Sequence, residues 1–212
     1  MKNILSEILL EGKIPFRPLL QKILLFSAIT PIVGIFFFSD SYRELGEICF
    51  NLLIAILAIR PLGDIFPGLR IFRGLLPFRK EAGILCGSLG VAHGIGYFLV
   101  NNLSFSDIFS SYLYDPSRHF LWGIIAVVIA FLLAITSNLF SMRLLRRNWK
   151  RLHRLVYVFF FVTVAHIVLI RMSYEGIFWS QPVLEVFLPA IFLLVLWLFS
   201  ALKFSFPFGK KA

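Results

Sequence analysis

Residues 82–100 read AGILCGSLGVAHGIGYFLV, nineteen residues without a charge and with one histidine, His93, in their midst. A helix rising 1.5 Å per residue needs roughly 20 mostly apolar residues to cross about 30 Å of hydrocarbon. The stretch therefore reads as a membrane span. Five more qualify, over residues 20–38, 46–62, 120–140, 154–171 and 182–202. No window alternates as a membrane β-strand does, so the fold class is an all-α integral membrane protein, a six-helix bundle. Composition agrees. Of 212 residues, 59% are hydrophobic, 17% aromatic and 15% charged, with a mean hydropathy of +0.87. A soluble domain has about 45–50% apolar and about 25% charged residues. A soluble enzyme, a disordered tail and a secreted disulfide scaffold are excluded.

The net charge of +10 would suggest nucleic acid in a soluble chain, but in a membrane chain Lys and Arg report orientation. Eighteen of the 21 lie before span 1, between spans 2 and 3, between spans 4 and 5, and after span 6. Only Arg43, Arg118 and Arg171 lie on the other side. Both termini are thus expected in the cytoplasm, and no nucleic-acid partner is implied. The basic face also suits an acidic partner or anionic lipid. Pro15 and Pro18 precede the first apolar run and no small-residue cleavage site follows it, so span 1 is expected to remain uncleaved. The single domain, residues 1–212, holds no P-loop and no dinucleotide fingerprint. If the chain handles electrons, their soluble donor and acceptor belong to other chains. Cys49 and Cys86 lie in apolar stretches and make no metal motif.

Ionisable groups inside a bilayer are costly and mark function. His119 precedes span 4 beside Asp115 and Arg118 and reads as an interfacial residue. His93 and His166 are different. His93 lies 13 residues beyond Lys80, and His166 lies 12 beyond Arg154. Both are about 18–20 Å in from the basic face, on spans running in the same direction. Two imidazoles at one depth on neighbouring helices are what a bis-histidyl heme requires. Zinc would want more protein ligands than are placed nearby. Gly83, Gly87, Gly90 and Gly94 form a smooth ridge on span 3, which suits close helix packing or the approach of a flat macrocycle. Tyr97, one turn above His93, is a candidate hydrogen-bond donor.

His153 opens span 5 within Trp149-Lys150-Arg151-Leu152-His153-Arg154. It reads either as a wet interfacial residue or as the ligand of a second, inner heme about 20 Å from the first. Thirteen residues at about 100° each leave His153 and His166 roughly 140° apart on a straight helix, so a shared cavity needs a kink. Level with His153, span 3 offers Arg79 and Lys80. An inner heme would be singly ligated, share another ligand, or be absent.

This set resembles the ferric-reductase-like transmembrane superfamily, and within it the small heme-binding membrane subunits of periplasmic methionine-sulfoxide reductase systems. The resemblance runs from about residue 52 to 170. It rests on Leu57-Ala58-Ile59-Arg60-Pro61-Leu62, Arg79-Lys80 with Gly83, His93 with Tyr97, Thr136-Ser137, then Trp149, Leu152, His153, Tyr157 and His166. The resemblance implies b-type heme, one or two, with His93, His166 and His153 as its histidines, and FMN as an associated cofactor. It further implies a multi-pass protein of the bacterial inner membrane that transfers electrons and is not itself the catalytic subunit. The implied donor is the quinol pool or a cytoplasmic flavin reductase. The implied acceptor is a periplasmic molybdenum-containing enzyme that reduces methionine sulfoxide. Two other readings stay open: a stand-alone ferric-reductase-like protein, and a transporter or structural membrane protein without heme. The loops near 101–119 and 172–181 are the expected docking face for the acceptor.

Overall fold

A computed structural model describes residues 4–104, 106, 119–175 and 181–203, apart from the side chains of 173–175 and 181–183. A short helical segment over residues 4–11 is followed by α1 (Arg17–Ser27), α2 (Thr30–Gly34), α3 (Tyr42–Ile65) and α4 (Ile71–Leu75). Then come α5 (Arg79–Val100), α6 (His119–Ile135), α7 (Leu139–Leu145), α8 (Arg147–Leu152), α9 (Leu155–Glu175) and α10 (Gln181–Ala201). Among the described residues there is no strand. With its long apolar helices, the chain is a multi-pass membrane protein.

Among the described residues four helical stretches are long and apolar enough to cross a bilayer: Ser39–Ile65, Ile71–Val100, Arg147–Met172 and Leu184–Ala201. The pair α6 and α7 makes a fifth only if a 95° bend between them is counted within one span. The expected first span, 20–38, differs most. It is split into α1 and α2, and eleven residues of α1 reach only about 16 Å. The cause is local. Ser27 Oγ donates to Leu24 O (2.8 Å) and Thr30 Oγ1 to Ser27 O (2.7 Å), while Pro31 brings no N–H to the ladder. Span 4 ends at Ile135 rather than at 140. There Thr136 Oγ1 donates back to Leu132 O (2.6 Å), and Asn138 starts α7 by accepting from Ser141 N (2.8 Å).

The core runs along α3, which packs on α5 and α10, while α6 lies between α5 and α9. Leu53 and Leu57 of α3, Leu89 of α5, Ala130 of α6, Phe160 of α9 and Leu193 of α10 are its buried centre. Of the Phe159-Phe160-Phe161 run, the first two are buried and Phe161 is exposed. Phe131, Leu188 and Phe192 are exposed as well, as lipid-facing side chains should be. Cys49 and Cys86 are free thiols that meet in the α3–α5 contact, with Sγ atoms 3.6 Å apart. Cys49 Sγ donates to Cys86 O (3.2 Å), a polar stitch inside hydrocarbon. At the far end of α3, Ser200 Oγ donates to Asp64 Oδ2 (2.9 Å) and ties α10 to it.

Candidate functional site

The histidines of α5 and α9 come together. The ring centroids of His93 and His166 are 6.2 Å apart, with planes at 75°. Each Nδ1 is held by a peptide carbonyl: His93 by Tyr42 O and His166 by His119 O, both at 2.7 Å. A carbonyl only accepts, so Nδ1 carries the proton in both rings. In the neutral tautomer each Nε2 then keeps its lone pair. An anchored Nδ1–H with a free Nε2 is the usual arrangement of a metal-binding imidazole.

Why those carbonyls are reachable follows from the residues one turn further on. The carbonyl of Tyr42 lies below Gly46 and that of His119 below Gly123, each a spacing of four. In a helix the Cα–Cβ bond tilts towards the N-terminus, so a side chain at the fourth residue covers the carbonyl beneath it. Glycine leaves that carbonyl open to a second donor. A Cβ added at Gly46 would lie 2.8 Å from His93 Nδ1, and one at Gly123 would lie 2.7 Å from His166 Cε1. The same device therefore occurs twice, on α3 for His93 and on α6 for His166.

The expected glycine ridge on α5 serves another purpose for most of its length. A Cβ at Gly87 would meet Ala134 and Ala130 of α6 at 3.0–3.1 Å, and one at Gly94 would meet Val127 at 3.3 Å. Gly90 faces Cys49 Sγ at 3.5 Å, and Gly83 faces open space. Close helix packing accounts for three of the four. Tyr97 sits edge-on to Tyr42 (5.9 Å) and tilted against Phe120 (5.6 Å), while Tyr42 leans on His93 at 5.8 Å. His119, which the sequence marks as merely interfacial, adjoins the site. Its carbonyl holds His166 and its ring lies 6.1 Å from the His166 ring.

His153 is not in this cluster. It terminates α8, stacks on Trp149 at 4.1 Å, and sets Nε2 3.3 Å from Thr136 Oγ1. Because the Thr136 hydroxyl donates to Leu132 O, its oxygen accepts from His153, so the proton of that ring is on Nε2. The tautomer is opposite to that of the other two. The helix is broken between α8 and α9, where Arg154, Val156 and Tyr157 bond three residues back, to Arg151, His153 and Arg154, as in a 3₁₀ turn, yet His153 stays apart from the pair. Asp107, Asp115, Arg118 and Glu175 of the expected docking loops lie outside the residues whose side chains are described.

A heme fits the pair. An iron about 2 Å from one nitrogen of each of two imidazoles puts the ring centres roughly 6 Å apart, and the observed separation is 6.2 Å. His153, with Nε2 given to Thr136, fits an axial role less readily. Among the described residues no group of three or more His, Cys, Asp or Glu is placed to hold a metal ion.

The model of a family described as the ferric reductase like transmembrane component matches residues 45–164, more than half of the chain. The chain belongs to that family. The family segment takes in Gly46, His93, Gly123 and His153, and ends two residues before His166. Curated relatives carry the name protein-methionine-sulfoxide reductase heme-binding subunit MsrQ. The chain is 31% identical to the one from Agrobacterium fabrum over 135 residues, 63% of this chain and 60% of that protein. It is 34% identical to the one from Rhizobium meliloti over 116 residues, 54% and 50%. With the one from Brucella ovis the identity is 28% over 151 residues, 71% and 64%. The chain thus spans between half and two thirds of the length of these relatives. No solved structure matches it.

Proposed function

We propose that the protein is a b-type-heme electron-transfer subunit of a methionine-sulfoxide reductase system, in which His93 and His166 would hold the heme iron. The observation that carries this is the pair of imidazoles with centroids 6.2 Å apart, each with Nδ1 committed to a carbonyl, in a chain of the ferric reductase like transmembrane family. When bound, heme supplies a one-electron carrier within the bilayer. The chain's own residues do the rest. Tyr42 O and His119 O fix both rings, Gly46 and Gly123 let them approach, and Tyr97, Phe120 and the apolar core keep water out. Such a protein positions and tunes a cofactor. The names of the relatives support an acceptor that reduces protein methionine sulfoxide, in this reading a periplasmic molybdenum-containing subunit. The donor is quinol or a cytoplasmic flavin reductase, with FMN as an associated cofactor. His153, at the basic end, stands on the entry side for electrons. The location is the bacterial inner membrane.

Protein purified from heme-replete cells is expected to show a Soret band that shifts on dithionite reduction, with about one low-spin heme per chain. Colourless, folded protein would overturn the reading and favour a transporter or structural role. Mixed with a candidate periplasmic subunit and methionine sulfoxide, the reduced heme should reoxidise. Reoxidation by ferric chelates alone would instead point to a stand-alone reductase.

The proposed topology keeps both termini in the cytoplasm, with α1 and α2 crossing as a broken unit. Alkaline phosphatase fused at Ser104 should be active, and fusions at Arg146 or after Lys203 inactive. An active fusion after Lys203 would show that one crossing has been miscounted.

A further inference from the structure

At the basic end of the bundle the N-terminal segment is docked onto α4 through two glycines. Gly12 has φ +68°, and a Cβ on it would lie 2.5 Å from Arg70 O. A Cβ on Gly74 would collide with Gly12 O. Only glycine permits this backbone contact. Behind it lies a cavity of about 590 Å³ whose charged lining is Lys13, Arg17, Arg70, Arg73 and Glu11. Glu11 is taken up by Lys13 (2.8 Å). No carboxylate among the described residues pairs with Arg17, Arg70 or Arg73. A second cavity of about 440 Å³ shares Arg73 and adds Arg60, Arg79 and Asp64. Three arginines line one recess whose single carboxylate, Glu11, is held by Lys13, and such a setting calls for an anion with several acceptor oxygens.

The neighbouring surface says which anion. Phe16, Leu19, Leu20 and Ile23, beside or on the helix that carries Arg17, are all exposed. A cationic recess opening beside an apolar, lipid-facing helix matches an anionic phospholipid, with the headgroup phosphate in the recess and the acyl chains along α1. We propose that Arg17, Arg70 and Arg73 form a binding site for the phosphate of an anionic phospholipid.

The test is native mass spectrometry of the full chain released from detergent, with phosphatidylglycerol and phosphatidylcholine supplied in equal amounts. Wild-type protein should retain phosphatidylglycerol preferentially. Arg70→Gln/Arg73→Gln should lower that retention roughly 25-fold, from about a fivefold loss per basic residue. Arg143→Gln, exposed and outside the cavity, should leave it unchanged. If the double variant does not fold, Arg17→Gln carries the same expectation at roughly fivefold. Equal retention of both lipids, or equal loss in Arg143→Gln, overturns the site. So does inorganic phosphate binding with the same arginine dependence while the lipid does not, which would assign the recess to a soluble phosphate ligand. The readout is bound lipid mass, so it stands whether or not the chain holds heme.

Discussion

His93→Ala and His166→Ala are each expected to abolish the low-spin heme spectrum. Each substitution removes one of two imidazoles whose ring centroids lie 6.2 Å apart. Bound heme should fall by more than roughly tenfold, since even the outer hydrogen-bond partners of a metal ligand are worth about 10–100-fold. The spin state changes with the loss of either ring, because both axial bonds set it. His153→Ala should behave differently. Its Nε2 is engaged by Thr136 and its ring by Trp149, away from the pair. The low-spin signal should persist while reduction from the basic side slows. Pyridine hemochrome assay and electron paramagnetic resonance on folded protein decide the matter. A normal low-spin signal in His93→Ala, or loss of all heme in His153→Ala alone, would sink the assignment.

Gly46→Ala and Gly123→Ala should each weaken heme retention about tenfold, although alanine is the better helix former by about 1 kcal/mol. The added Cβ would stand 2.8 Å from His93 Nδ1 in one case and 2.7 Å from His166 Cε1 in the other. The ring must move away and give up its 2.7 Å bond to Tyr42 O or His119 O. Overpacking of this kind costs about 1–3 kcal/mol, more than the helix gains. Gly83→Ala is the built-in contrast, since nothing lies within 4 Å of its Cβ position. It should leave heme content unchanged and raise the melting temperature slightly. If Gly46→Ala matched Gly83→Ala in heme content and spectrum, the ring would not depend on that carbonyl.

The sequence makes the long helices and the His93–His166 meeting legible for one reason. Apolar length and a titratable group within it are signals confined to a single stretch, and a common depth then pairs two stretches. Features that depend on partners across the bundle are hidden from such reading. Gly46 and Gly123 look like any glycine in the first turns of a span; their meaning needs the histidine that lies over them. His119 reads as interfacial because its contribution comes from a backbone carbonyl. Cys49 and Cys86, 37 positions apart, gave no motif and yet touch. The division of residues 20–38 was partly written in the chain. Ser27, Thr30 and Pro31 each offer the backbone an alternative to a straight helix, but a hydropathy window averages them away.

The anchoring of both rings to peptide carbonyls also sets how two helices are turned. Those two hydrogen bonds join α5 to α3 and α9 to α6. Each ring acts as a key in a slot of its neighbour's backbone, because a helix rotated about its own axis would carry its imidazole off the carbonyl. The azimuth of α5 and of α9 is thereby fixed at the level of the two rings.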